Sequence, residues 1–332
     1  MKRAALALML AALVLLPVVA SGDYVINIGS QVLIAALFAL SLNLLVGYAG
    51  LTSLGHAGYL GLAGYLSGWL VLNMQWGHLA SGLAALAITT VMAALFGLVA
   101  LRATGLSFLM ITLAFGQILW GIAYRWASVT GGDNGLSGLS RPMPFGQDFG
   151  QASAFYYFTL AVFVLVWGLI ALWMRSPFGA SICGTRDQPR RMSALGYNVW
   201  LIRWITFIVS GFFGAVAGLM YVYYHQFISP HSLSLANSAE MLLMVIAGGP
   251  GTLLGPVVGA ALVVLLKNVA SAYIDRWIML LGFVFIFIVM FVPGGIVPGV
   301  RRAIQRLRRR PAQSDKATLV VAPSTHPLKE AR

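Results

Sequence analysis

The chain has 332 residues, of which 60% are hydrophobic and only 9% charged, against roughly 45–50% and about 25% in ordinary soluble domains. That balance excludes a soluble enzyme and describes an integral membrane protein, and apolar runs of about twenty residues exclude a membrane barrel, whose strands alternate over roughly ten. The net charge of +13 sits at the ends of the apolar runs, where it sets orientation in a lipid bilayer and calls for no nucleic acid.

Residues 1–22 have a basic start, an apolar centre and a small-residue end, a pattern that fits a cleaved signal peptide and a first transmembrane helix equally. Either one leaves residue 23 outside. Residues 31–46 form the next span and run without a charged loop into GYAGLTSLGHAGYLGLAGYLSGWL, residues 47–70, with seven glycines in 24 positions. A glycine inside a helix costs about 1 kcal/mol relative to alanine, so close helix contact or a broken helix is expected here. Residues 73–78 make a short outer turn, residues 80–101 the next span, and Arg102 a tight inner turn before residues 105–124. Residues 125–152 are the longest outer connection; within TGGDNGLSGL, Gly131, Gly132, Asp133, Asn134 and Gly135 predict turn-rich backbone with exposed amides. Residues 153–174 return to the inner side.

There lies a polar island, residues 175–203, with five arginines. Residues 182–195 are compatible with a short amphipathic helix interrupted at Pro189, and residues 205–224 cross outward. Residues 239–266 are apolar around Gly248, Gly249, Pro250 and Gly251, and a last span at 277–292 precedes PGGIVPG and the arginine-rich RRAIQRLRRR. A single crossing by 239–266 would carry those arginines outside, against the positive-inside rule. A hairpin broken at GGPG, re-entrant or twice-crossing, restores parity: 17 basic and three acidic residues lie inside, four basic and five acidic outside. Residues 301–310 are a basic cytoplasmic stretch, and residues 311–332 read as a disordered tail. The expected fold is an all-α polytopic membrane protein with about eight full transmembrane helices plus a Gly/Pro-broken hairpin, eight to ten spans in all. The similarity of GYAGLTSLG to GGPGTLLG hints at two related halves, an arrangement whose broken helices often flank a transport path.

No catalytic constellation stands out: the five histidines are scattered, and HExxH, GxSxG and paired inner carboxylates do not occur. Nor does the G-x-x-x-x-G-K-[ST] phosphate loop, so an ATP-driven process needs an ATPase on another chain. The single cysteine, Cys183, allows no intrachain disulfide and no cysteine-held metal cluster. His56, in the first glycine-rich break, either bonds a freed backbone carbonyl or touches a solute. Glu240 is either a buried proton or cation site, or it is hydrated or at a helix N-terminus, where its charge is favoured. Asn43 reads as interhelical packing glue before it reads as a ligand. The island's arginines satisfy the positive-inside rule by themselves, yet Ile182, Met192, Leu195 and Tyr197 among them also make a face on which a protein could dock.

Five motifs in order, SLNLLVGYAGLTSLGHAGYLGLAGY (41–65), TGGDNGLSGL (130–139), SPFGASICGTRDQPRRMSALGYNVWLIRWITFIVSGFFGAVAGLMY (176–221), MVIAGGPGTLLGPVVGAALV (244–263) and FVPGGIVPG (291–299), resemble the permeases of branched-chain amino acid ABC importers, the LivM type. The resemblance covers residues 27–300. It implies a permease domain over 23–300 in a bacterial inner membrane, pairing with a second permease of the LivH type, two cytoplasmic ATPases that bind ATP–Mg, and a periplasmic solute-binding protein. It also implies that Phe178, Gly179, Arg186, Asp187, Arg190, Arg191, Ala194, Leu195 and Gly196 belong to the surface coupled to the ATPase. Asn43, Gly47, Gly50, Ser53, Gly55 and His56, with Gly248, Gly249, Gly251 and Gly255, would line or gate the path. Residues 130–139 would meet the binding protein or lie at the outer mouth. Ala180 and Gly294 stand where the family often has basic residues, and Pro189 where an acidic one is common. Urea and short-amide permeases are close relatives, so the solute stays open, and an ion-driven secondary transporter is the rival from another class.

Overall fold

A computed structural model describes residues 13–17, 22–141, 151–273, 277–291 and 294–308. Most of residues 1–22 and all of residues 309–332 lie outside the described residues, as do Asp148, Asp275 and Arg276.

Helix α1 (Asp23–Asn43) runs on as a π-helix (Leu44–Ala49), together a 27-residue span. It is apolar nearly all round, which suits a helix enclosed by others, and side chains from Leu33 to Leu45 are almost wholly buried. After an irregular break come α2 (Ala57–Met74), α3 (His78–Ala100) and α4 (Leu106–Arg125). The glycines of α2 recur at helical spacing, and loop and helix side chains fill the face they leave: Leu119 meets Gly58, Leu233 meets Gly61 and Ile228 meets Gly64. Both outcomes expected for 47–70, close contact and a broken helix, are therefore present. The exposed side chains of α3, among them Leu79, Leu83, Val91 and Leu95, form the apolar face a bilayer requires.

A short turn α5 (Ala127–Thr130) opens the outer connection, and α6 (Ala152–Arg175) returns to the island. The island folds as α7 (Pro177–Asp187) and α8 (Pro189–Ala194), then α9 (Val199–His225). Ser176 caps α7 by accepting from the Gly179 amide at 3.3 Å with proline at the first helical position, and Asn198 caps α9 through the Leu201 amide at 3.0 Å. The helix expected over 182–195 thus starts earlier, at Pro177, and divides before Pro189, whose ring removes the amide that would continue it.

Helices α10 (Leu235–Gly248) and α11 (Gly255–Tyr273) form the predicted hairpin: Lys267 Nζ lies 3.4 Å from Glu240 Oε1, so the far ends of both arms are together. Fourteen residues of α10 reach about 21 Å, short of the roughly 30 Å hydrocarbon core. Helices α12 (Trp277–Phe291) and α13 (Ile296–Arg308) complete the order. Among the described residues six helices are long and apolar enough to cross a membrane. α2, with its glycines and tyrosines, α10 and α12 are the shorter companions that bring the bundle toward the expected number. α1 is the hub, packed against α11, α6, α9 and α10, while α9 also carries α2 and α3.

The outer connection differs from its expected open form. A two-stranded antiparallel sheet joins β1 (Leu136–Ser137) to β2 (Phe227–Ile228) after α9, with Leu136 opposite Ile228. Its amides are used internally: Gly131 N–H donates to the Ala127 carbonyl at 3.0 Å, Gly132 N–H to Thr130 Oγ1 at 3.3 Å and Gly135 N–H to the Gly132 carbonyl at 3.1 Å. Buried backbone donors demand such partners, and composition alone did not show that the loop is strapped down.

Candidate functional site

The π-helix at the end of α1 stops at Gly50, whose φ of 70° lies in the left-handed region. There Leu51 N–H bonds back to the Leu45 carbonyl at 2.8 Å. The carbonyls of the final turn are left without helical partners, as at any helix C-terminus. Arg186, in the last turn of α7, supplies one: its Nη1 donates to the Gly47 carbonyl at 2.7 Å. A cation is also favoured by the partial negative charge at that helix end. The Arg186 stem passes directly over Gly50, where a Cβ would lie 2.7 Å from its Cγ. Its Nε meanwhile holds Asp187 Oδ1 at 2.9 Å, so one planar guanidinium serves two acceptors.

The second break meets the first at the same place. Asn43 Nδ2 donates to the Thr252 carbonyl at 3.0 Å, and Asn43 Oδ1 accepts from the Gly251 amide at 2.9 Å. Gly47 and Gly251 touch backbone to backbone, and a side chain on Gly47 would collide with both Gly251 and Asn43. Thr252 staples the hairpin turn by donating to the Gly249 carbonyl at 2.9 Å and accepting from the Gly255 amide at 3.0 Å. Gly248 packs against Gly255, and Gly249 against Gly295 and Pro298 of the last glycine-rich stretch. Three glycine-rich segments far apart in sequence therefore converge beside one arginine. Asn43, read as glue, joins the two breaks in particular.

The rest of the first break is tied to α4 and α10. Leu54 N–H donates to Thr112 Oγ1 at 3.3 Å, Ala57 N–H to Ser238 Oγ at 3.1 Å, and Gly55 packs on the Thr112 backbone and Gly116. Ser53 is buried beside them. His56 is wholly enclosed, stacked on Phe38 at 5.3 Å and edge-on to Tyr59 at 5.5 Å. Its partner is Ser41 Oγ, 2.9 Å from Nε2, and not the backbone carbonyl that the sequence suggested. Because Ser41 spends its one proton on the Phe38 carbonyl at 2.7 Å, the network assigns the imidazole proton to Nε2. His56 thus holds the break against α1, in contact with packed side chains.

The island residues separate into two groups. Phe178 stacks on Trp173 at 5.6 Å, and Gly179 is buried with room for no Cβ, which would lie 2.5 Å from the Met174 carbonyl. Ile182 is buried in the core, so it offers no docking face, and Met192, half-buried in α8, packs over Gly184. By contrast α8 buries none of its residues. Arg190, Arg191, Ala194, Leu195, Gly196 and Tyr197 are exposed, Leu195 by 66%.

Gly131, Gly132, Asp133, Asn134 and Gly135 lie at the other end of α9, whose 27 residues separate them from the island by about 40 Å. Glu240 is paired with Lys267 across the hairpin, neither a lone buried acid nor a first-turn charge. Sequence reading missed Ser41, Thr112, Ser238 and Thr252; hydroxyls in apolar helices were the available signal, since each must find a partner. Among the described residues no group of three or more His, Cys, Asp or Glu side chains is placed to hold a metal.

The family model described as "Branched-chain amino acid transport system / permease component" matches residues 24–291. The high-affinity branched-chain amino acid transport system permease protein LivM of Escherichia coli (strain K12) is 26% identical over 319 residues, 88% of this chain and 74% of that protein. Its namesake in Salmonella typhimurium is 25% identical over 318 residues with the same coverage. A probable branched-chain amino acid transport permease protein LivM of Methanocaldococcus jannaschii is 24% identical over 181 residues, 49% of this chain and 52% of that protein. No solved structure matches the chain.

Proposed function

Because this chain belongs to the family of permease components of branched-chain amino acid transport systems, we propose that it is the membrane-spanning subunit through which an ABC importer moves branched-chain amino acids across a bacterial inner membrane. It performs no chemistry of its own. ATP–Mg is bound and hydrolysed by two separate cytoplasmic ATPases, a periplasmic binding protein delivers the solute, and a second permease of the LivH type completes the path. The observation that carries the docking part is α8, a helix with no buried residue, whose Arg190 and Arg191 and C-capping Leu195 are all exposed; arginines beside an exposed apolar side chain suit an interface. An ion-driven transporter is not favoured, since the family is that of permease components of branched-chain amino acid transport systems.

The test is leucine uptake into vesicles holding this chain, its partner permease, the ATPases and the binding protein. Uptake stops when the phosphate-loop lysine of the ATPases is replaced, and R190E/R191E lowers ATPase co-purification at least fivefold. Uptake by this chain alone, without ATP and under a proton or sodium gradient, would overturn the proposal.

A further inference from the structure

We propose that Arg186 is the positioning residue that transmits movement of α7 and α8 to both helix breaks, a strap running from the face a partner covers to the Gly47 carbonyl. The inference rests on the reading that α7 and α8 seat the ATPase.

Three features place the strap. First, the Gly47 carbonyl is free to accept only because the π-helix ends at Gly50, and the absence of a Cβ at Gly50 lets the Arg186 stem cross it. Second, Gly47 is not an isolated anchor. Its backbone touches Gly251, and Asn43, one turn earlier, holds Gly251 and Thr252 through two hydrogen bonds. A displacement of Gly47 therefore moves the tip of the α10–α11 hairpin as well as the end of α1. Third, the guanidinium is aimed by Asp187, whose carboxylate holds Nε while Nη1 reaches inward. The Asp187 side chain is 63% exposed, so a cation on a docked partner can compete for it. Arg186 would then lose its outer support while keeping its charge. Lysine can reach the Gly47 carbonyl as a point charge but cannot hold Asp187 in the same planar fork, so it is a partial substitute where arginine is the full one.

The experiment compares R186Q with the unsubstituted chain in the assembled transporter, reading ATPase co-purification, ATP hydrolysis and leucine uptake on the same preparations. The strap predicts that the ATPases stay bound and hydrolyse ATP while uptake per ATP falls at least tenfold, and that R186K recovers at least a third of it. Uptake per ATP within twofold of normal in R186Q overturns the strap and leaves the docking reading standing. Loss of the ATPases from R186Q overturns it too, making Arg186 a docking residue, and so does an R186K no better than R186Q. If R186Q does not accumulate, R186M keeps the apolar stem and is read the same way.

A second arm needs no partner. With Cys183→Ser removing the single cysteine, a thiol at the buried Ser53, introduced as Ser53→Cys, reports opening of the first break. R186Q should raise its labelling rate at least fivefold, and an unchanged rate overturns the strap. Should no ATPase co-purify even with the unsubstituted chain, the docking reading fails and this labelling arm alone decides the strap.

Discussion

Replacing Asn43 tests whether the two breaks are held together by hydrogen bonds or by packing alone. The side chain is 1% exposed and makes two bonds to the hairpin turn, at 2.9 Å to the Gly251 amide and 3.0 Å to the Thr252 carbonyl. Leaving a buried backbone group unpaired costs about 1–3 kcal/mol in soluble proteins, whereas interhelical hydrogen bonds in membranes average about 0.6 and reach about 1.7 kcal/mol. Asn43 joins packed membrane-type helices, so the membrane values are the nearer guide, and losing both bonds should cost about 1–3 kcal/mol. Asn43→Leu removes the bonds and keeps most of the volume; Asn43→Ala adds a cavity and should cost at least as much. Both can be read from unfolding in mixed micelles with rising sodium dodecyl sulfate, followed by the fluorescence of the nine tryptophans. A loss below about 0.5 kcal/mol in Asn43→Leu would show that packing joins the breaks and that the two bonds are incidental.

Gly47→Ala places a side chain against Gly251 and Asn43 and should abolish uptake by separating the breaks; a monodisperse variant with normal uptake refutes that contact. The Glu240–Lys267 pair, at 3.4 Å with Lys267 45% exposed, should give a coupling below about 1 kcal/mol in a Glu240→Gln/Lys267→Met cycle, shrinking with salt. A larger, salt-independent coupling would mean the pair is shielded from water. Lys267→Cys in the Cys183→Ser background should react with an impermeant thiol reagent from the outer face only, and reaction from the cytoplasmic face would reverse the assigned orientation of the hairpin.

The helical class and the hairpin were legible because they follow from apolar run length and charge parity. Carrying residues 301–310 to the inner side demands an extra reversal at GGPG, and the Glu240–Lys267 contact is where that reversal appears. The island was equally plain, since arginines in a short loop speak directly to topology. What the sequence could not convey was direction within it. Arg186 and Arg190 are four residues apart and chemically identical, yet Arg186, its side chain itself 37% exposed, donates to the Gly47 carbonyl while Arg190 sits on α8, none of whose residues is buried, a division set by the break between α7 and α8. The meeting of Gly47 with Gly251 was similarly hidden, because glycine motifs announce close approach without naming the partner. Ile182 misled for the opposite reason: beside charges it looked like a docking face, but helix phase buries it.

The π-helix at Leu44–Ala49 gives the end of α1 a property that its partners lack. Each π turn accommodates more residues than an α turn and closes its bonds one residue later. Re-forming the α pattern would advance the register by one residue and rotate the chain beyond it by roughly 100°. Gly47 would then face a different neighbour with little change in helix length. In a span packed on every side, where sliding is obstructed by interlocked side chains, such a screw step is a way to exchange one set of contacts for another while the helix axis stays in place.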